Sequence, residues 1–145
     1  MPTDMAAEER EILLLDTSAA IALIVEDHEA HAATLEAVRG HRLGLAGHAW
    51  FETYSVLTRL PGALRRSSPD VIRLLAHNFP ESAFLGEAAS VELGPELSRL
   101  GVSGGAVYDA LVGAAARQHR RWLVSGDARA RPVYEGLGVE VRIIG

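Results

Sequence analysis

The chain contains no cysteine and no lysine. Without cysteine, neither a disulfide nor a thiolate zinc site can hold the fold together, which fits a reducing compartment. Without lysine there is no P-loop lysine, no Schiff base and no lysine general base. Every basic side chain other than histidine is arginine. Long apolar runs are also missing. Ala19–Val25 and Ala110–Ala116 are the longest, at seven residues each, against the roughly 20 that a membrane-spanning helix needs. The first ten residues are polar and acidic, with neither a basic n-region nor an apolar h-region, so no secretory signal is expected. Residues 1–10 read as a flexible extension of a single domain spanning 1–145, and the protein is expected to be soluble and cytoplasmic, with no membrane partner.

What is present is enough for one ordinary globular domain: 145 residues, 48% hydrophobic and 23% charged. The formal net charge of −5 argues against a protein that coats nucleic acid by bulk attraction. It leaves room for an RNA substrate, because acids carrying a divalent metal present positive charge locally.

Short apolar runs alternate with helical patterns along the chain. Ile12–Leu15 reads as a buried strand closed by Asp16, Thr17 and Ser18, which suit a helix cap. Helices are expected over Ala19–Val25 and over Glu29–Val38, the second with Ala32, Ala33, Leu35 and Val38 as its apolar stripe. A weak strand at Leu43–Ala46 leads into a helix over Ala49–Leu60, stopped by Pro61 and Gly62. Ser68-Pro69-Asp70 opens another helix, with Val71, Ile72, Leu74 and Leu75 facing inward. A short strand at Ala83–Leu85 and a short helix over Pro95–Leu100 follow. Ser103 is placed to cap a helix running through Gln118. Trp122–Val124 is a strand, Arg131–Leu137 a helical turn or two, and Val139–Ile144 the last strand. Buried, non-alternating strands separated by helices predict an α/β fold: a three-layer α/β/α sandwich with a mainly parallel central sheet.

Four acids stand out against this frame. Asp16 and Asp127 each follow a strand, and ligands of open parallel sheets bind beyond the carboxyl ends of strands. Both also suit ordinary local roles, Asp16 as a cap and Asp127 as a turn former in Ser125-Gly126-Asp127. Asp109 is the least expected residue, because nearly every neighbour from Ala106 to Ala116 is apolar or small. A helix apolar on all sides is buried on all sides, and an ionised carboxylate there needs a partner or a metal. No basic residue lies one turn away. Glu52, in the Ala49–Leu60 helix, points away from Trp50, and a solvated glutamate is its default reading.

Gathered together, such acids repel one another and raise each other's pKa values. A hard divalent cation, Mg²⁺ or Mn²⁺, removes that penalty and can activate water toward phosphorus, so phosphodiester hydrolysis is the reaction the set suits. His28 and His31, three apart, invite a metal reading, but their surroundings look like a solvated helix start. His48 and Trp50 read as packing and capping residues.

Four segments in order then resemble a PIN-domain nuclease, specifically a VapC-type toxin of a bacterial toxin–antitoxin pair. They are Leu13-Leu14-Leu15-Asp16-Thr17-Ser18, Gly105 to Val112 around Asp109, Leu123-Val124-Ser125-Gly126-Asp127, and Gly138-Val139-Glu140-Val141. The resemblance spans Ile12 to Ile144. It implies that Asp16, Glu52, Asp109 and Asp127 gather around Mg²⁺ or Mn²⁺ to cleave RNA, and that the first and fourth strands are adjacent. It further implies a homodimer and a small VapB-type antitoxin. Ser125 retains a hydroxyl where the family often has threonine. Thr17 is a supporting residue, and Arg129 and Arg131 are candidates to contact substrate phosphate. Competing readings are weaker. A phosphatase-like hydrolase using Asp16 as nucleophile, or a receiver module, would want a second Asp where Ser18 stands, and a lysine. A PIN-like fold kept as an idle RNA-binding or assembly module is the non-enzymatic alternative.

Overall fold

The computed structural model describes residues 11–145, so the extension expected over residues 1–10 lies outside the described residues. The chain runs β1 (Ile12–Leu15), α1 (Thr17–Ile24), α2 (His31–Val38), β2 (Arg42–Leu45), α3 (His48–Thr58), a 3₁₀ turn (Gly62–Leu64) and α4 (Ser68–Asn78). It continues through α5 (Glu87–Leu100), α6 (Ala106–Gln118), β3 (Trp122–Ser125), α7 (Arg131–Gly136) and β4 (Val141–Ile143). The sheet order is β2-β1-β3-β4, and every pairing is parallel. The expected α/β/α sandwich is what forms.

The strands are short and apolar because both of their faces are covered. Side chains alternate across a strand, so Leu13 and Leu15 enter one hydrophobic layer while Ile12 and Leu14 enter the other. Leu57 of α3 and Leu75 of α4 pack in the first layer; Ala110 and Ala114 of α6 and Tyr134 of α7 pack in the second. Each of Leu13, Leu14 and Leu15 is fully buried, and burying one such side chain contributes about 1.5–3 kcal/mol.

Connectivity decides where a ligand can sit. From β1 the chain moves outward to β2, then returns across to β3 on β1's other side. The strand order therefore reverses between β1 and β3, where Leu15 is in register with Val124. Crevices in open parallel sheets lie at such a point, beyond the strands' carboxyl ends. Adjacency of the Ile12 and Trp122 strands is as the resemblance implies. Their ordinal separation is smaller, because the expected Ala83–Leu85 strand shrinks to a single bridge between Ala46 and Ala83. That segment still follows β2, with Glu81 N–H donating to Leu43 O at 2.9 Å and Ala83 N–H to Leu45 O at 3.1 Å.

Other expectations are corrected. The stripe on α2 is not Ala32, Ala33 and Leu35, which are exposed; Thr34 and Val38 face inward. Thr34 satisfies its hydroxyl on Ala30 O at 2.8 Å, so burial costs it little. Ile72 of α4 is 46% exposed rather than inward. The Pro95–Leu100 helix begins eight residues earlier, at Glu87, with Pro95 inside it. Proline is tolerated there because α5 is peripheral, burying only Leu93, so the lost hydrogen bond lies close to water. Ser103 does not cap α6. Gly104, at φ +58°, turns the chain first, and Gly105 takes the cap position without a side-chain hydrogen bond.

Candidate active site

Asp16 is held by the fold from several directions. Its backbone N–H donates to Val124 O at 3.1 Å, which fixes the end of β1 against β3. Its Oδ1 caps α1 by accepting from Ala19 N–H at 3.0 Å and also accepts from Ser18 Oγ–H at 2.6 Å. Its Oδ2 accepts from the Tyr134 phenol at 2.9 Å. The residue is 4% exposed. Capping and site placement, alternatives in the sequence, are both realised by one carboxylate.

Ser18 then joins the two strand ends, since its Oγ also accepts from Gly126 N–H at 2.8 Å. On the β3 side, buried Ser125 steadies the turn through its Oγ, which accepts from Asp127 N–H at 3.0 Å. Asp127 Oδ1 accepts from Arg129 N–H at 2.9 Å and pairs with Arg129 Nε at 3.4 Å. Arg131 is turned to its own helix, paired with Glu135 at 3.0 Å on the surface.

Glu52 and Asp109 arrive from helices. Gly47, at φ +49°, starts α3 within 2.9 Å of the Ala115 side chain, measured from where its own Cβ would stand. That close approach of α3 to α6 brings Glu52 and Asp109 to one cleft. Its walls are Asp16, Thr17, Ser18, Glu52, Asp109, Val112, Asp127 and Tyr134, around a volume of about 110 Å³. All four predicted acids line it. A larger hollow of about 370 Å³ lies near Arg117, Arg120, Arg121 and Trp122. It gathers no comparable set of acids, and Arg117 there is already paired with Glu96 at 2.8 Å.

Asp109 is half-buried rather than enclosed, because it lies in the first turn of α6, where Tyr108 is open to solvent and no residue before Ala110 is fully buried. Its pKa is nonetheless raised above the ordinary value of 3.8, first by burial and then by repulsion from Asp127, Asp16 and Glu52. The Arg129 guanidinium pulls the other way without offsetting them. Among the described residues no hydrogen bond is donated to its carboxylate.

Sequence reasoning misses Tyr134, and it misses the double role of Ser18. Burial and the adjoining Asp16 push the Tyr134 phenol far above its ordinary value, so it stays a donor. It reaches Asp16 because Gly113 of α6 leaves room: a Cβ there would stand 3.0 Å from the Tyr134 ring. The available signal is a glycine inside an otherwise apolar helix, facing an aromatic. His48, read as a packing residue, stands at the cleft rim with Nε2 3.6 Å from Glu52 Oε1. His28 and His31 are occupied by backbone groups, with Ala30 N–H at 3.0 Å and Ala22 O at 2.9 Å.

The donor set fits a hard cation. It is all oxygen, four carboxylates with the hydroxyls of Thr17 and Ser18, and the Thr17 Oγ is buried without a hydrogen-bond partner. Such a set selects Mg²⁺ or Mn²⁺ over softer ions. Among the described residues, no three His, Asp or Glu side chains close tightly enough to enclose an ion unaided. Water would complete the shell, as it commonly does for Mg²⁺.

A parallel sheet with carboxylates gathered at its strand-order reversal defines a class, and comparison with known proteins gives its name: the chain belongs to the PIN-domain family. The PIN domain family model matches residues 13–136. Within that family the chain is similar to Ribonuclease VapC27 of Mycobacterium tuberculosis (strain H37Rv), 46% identical over 89% of this chain and 94% of the relative. It is also 40% identical to Ribonuclease VapC40 of Mycobacterium tuberculosis (strain CDC 1551), over 89% of this chain and 96% of the relative. The fold resembles the solved VapBC2 of Rickettsia felis bound to a promoter DNA fragment, with a TM-score of 0.66 at 14% identity, covering 92% of this chain and 99% of that one. VapBC of Salmonella typhimurium, bound to DNA, gives 0.65 at 15% identity, covering 92% and 98%. The chain is thus of the VapC type. No helix among the described residues is long and apolar enough to cross a membrane.

Proposed function

We propose that this protein is a metal-dependent endoribonuclease, the toxin of a toxin–antitoxin pair, acting on RNA phosphodiester bonds. The observation that carries the reading is the convergence of Asp16, Glu52, Asp109 and Asp127 on one cleft, where burial and then the three other acids raise the pKa of Asp109 above its ordinary value. Such an arrangement is unfavourable by itself and becomes favourable when a cation is shared.

Asp16, Asp109, Asp127 and Glu52 would hold Mg²⁺ or Mn²⁺, which supplies Lewis acidity toward phosphate and a water of lowered pKa. Asp16 is preset for this by Ser18 and Ala19 on one oxygen and Tyr134 on the other. Ser125 keeps Asp127 at the mouth of β3, and Thr17 lines the cleft beside Asp16. Arg129, 94% exposed, is placed to meet a substrate phosphate, and Arg131 can do so by leaving Glu135. No histidine general base is required where a cation activates the water.

RNA as substrate is supported by the ribonuclease names of the two relatives, and a VapB-type antitoxin as partner by the VapBC assemblies that share the fold. A homodimer and a cytoplasmic location belong to the same reading. The test is cleavage of total cellular RNA by purified protein with Mg²⁺, with Mn²⁺ and with chelator, for the wild type, Asp16→Asn and Asp109→Asn. Metal-dependent cutting by the wild type alone supports the reading; intact RNA under all conditions sinks it. A short reading frame just upstream encoding a ribbon–helix–helix protein would favour the toxin role over a housekeeping nuclease.

A further inference from the structure

Two aromatic rings stand on the rim of the acidic cleft, outside both hydrophobic layers. Tyr108 immediately precedes Asp109 and is 54% exposed. Its ring stacks on that of His48 in α3, with centroids 5.2 Å apart and planes 24° from parallel. His48 in turn points Nε2 at Glu52 Oε1, one helical turn further along. A lone exposed tyrosine is ordinary. A tyrosine stacked on a histidine that itself faces a cleft acid presents a half-exposed ring beside the cleft.

Charge argues for what lies on that face. The protein carries a net −5, and Arg129, which would meet a substrate phosphate, also shares its charge with Asp127. A polyanionic strand gains little here from bulk attraction. Stacking of an unpaired base on an aromatic ring supplies affinity without positive charge, and unpaired RNA bases are commonly held in that way.

We propose that Tyr108, backed by His48, is a stacking platform for the unpaired nucleobase adjoining the phosphate that enters the cleft. The proposal rests on the reading of the site as RNA-cleaving. Because the ring is stacked on His48, whose Nε2 faces Glu52, a base seated on it sets the register of the strand against the carboxylates. The platform therefore contributes to where the RNA is cut.

The probe is a fluorescein-labelled pool of randomised single-stranded RNA. Binding to metal-free protein is followed by anisotropy, cutting with Mg²⁺ or Mn²⁺ by sequencing the new ends, and protein mass by sedimentation. Tyr108→Ala is expected to raise Kd and KM roughly 5- to 150-fold, the range that losing one base–aromatic stack implies. Its kcat should stay within about threefold, since uniform binding is what is lost, and base preference beside the cut should flatten. Tyr108→Phe should behave as the wild type. Unchanged Kd, KM and cut positions in Tyr108→Ala, with a wild type that cuts, overturn the platform and leave the nuclease reading intact. Wild-type cut positions together with a dimer turned monomer assign the ring to a second copy and also overturn it. A wild type that binds the pool through Tyr108 but never cuts upholds the platform and removes the nuclease reading. One that neither binds nor cuts removes both.

Discussion

The turn after β1 and the first turn of α6 deliver acids to the same cleft, and they do so in opposite ways. Asp16 is buried, and its oxygens accept from Ser18, Ala19 and Tyr134. Asp109 is half-buried and raised in pKa by burial and by three like charges, with no donor to its carboxylate among the described residues. The first acid is part of how the chain folds, joining a strand end, a helix start and α7. The second is imposed on the fold, and the Arg129 charge that favours its ionised form does not offset burial and the three acids, so a further positive charge would stabilise it. A site assembled this way keeps one ligand rigid and one in need of a cation, so stability and activity should separate when the two are altered.

The largest expected effect is Asp109→Asn on cleavage. Groups that merely support metal ligands cost 10–100-fold when lost, so removing a ligand's charge should cost at least about 100-fold in kcat/KM. Far-UV circular dichroism should show an unchanged fold. Cleavage by the variant at near wild-type rates would break the comparison, leaving Asp109 an acid with no role.

Asp16→Ala should damage both properties. It removes an N-cap, worth about 0.5–2 kcal/mol, and leaves the buried Tyr134 hydroxyl without its acceptor, at about 1–3 kcal/mol. A loss of about 1.5–5 kcal/mol in urea unfolding is expected, together with loss of cleavage. If Asp16→Ala unfolds at the wild-type midpoint, the turn after β1 is not the structural joint described above.

Tyr134→Phe sharpens the same point at smaller cost. The ring and its packing against Gly113 remain, and only the donor to Asp16 Oδ2 disappears. Removing a partner that orients a ligand should weaken Mg²⁺ or Mn²⁺ binding about 10- to 100-fold while changing stability by only about 1 kcal/mol. Titration calorimetry with metal measures the first and urea unfolding the second. Equal metal affinity in the variant would show that Asp16 is held well enough by Ser18 and Ala19.

The contrast between these acids is partly legible in the sequence. Asp109 announces itself because its neighbours are apolar, and Asp16 because it closes a buried run. Their company in one cleft follows from a parallel sheet whose order reverses between β1 and β3. Tyr134 is barely legible: it meets Asp16 across 118 residues of chain, nothing in its own segment marks that contact, and the sole signal is Gly113 in a different helix. The inward face of α2 escapes pattern reading because weakly apolar alanines and a threonine compete for it, and a hydroxyl satisfied by its own helix can be buried as cheaply as a methyl. Pro95 reads as a helix start, yet a peripheral helix whose Val91 lies open to solvent tolerates proline in its interior. Local pattern specifies strongly apolar elements well and peripheral ones poorly, because the latter depend on which neighbour happens to cover them.

The smallest expected effect is thermal and appears only without metal. Asp109 has a folded-state pKa above the 3.8 of an unperturbed aspartate. The folded chain therefore binds its proton more tightly than the unfolded chain does. The stabilisation from that proton is complete below 3.8 and is lost as pH rises through the higher folded value. The Asp109→Asn variant has no titrating group at this position, so in chelator it should match the wild type in Tm at low pH and exceed it near neutrality. The gap should open upward from the unperturbed aspartate value and then level off. Adding Mg²⁺ should reverse the order, because a ligand that binds only the folded wild type stabilises it by mass action. A gap that stays constant with pH would mean that Asp109 is not the strained acid of the pair. In that case the difference between the two turns would lie in hydrogen bonding alone.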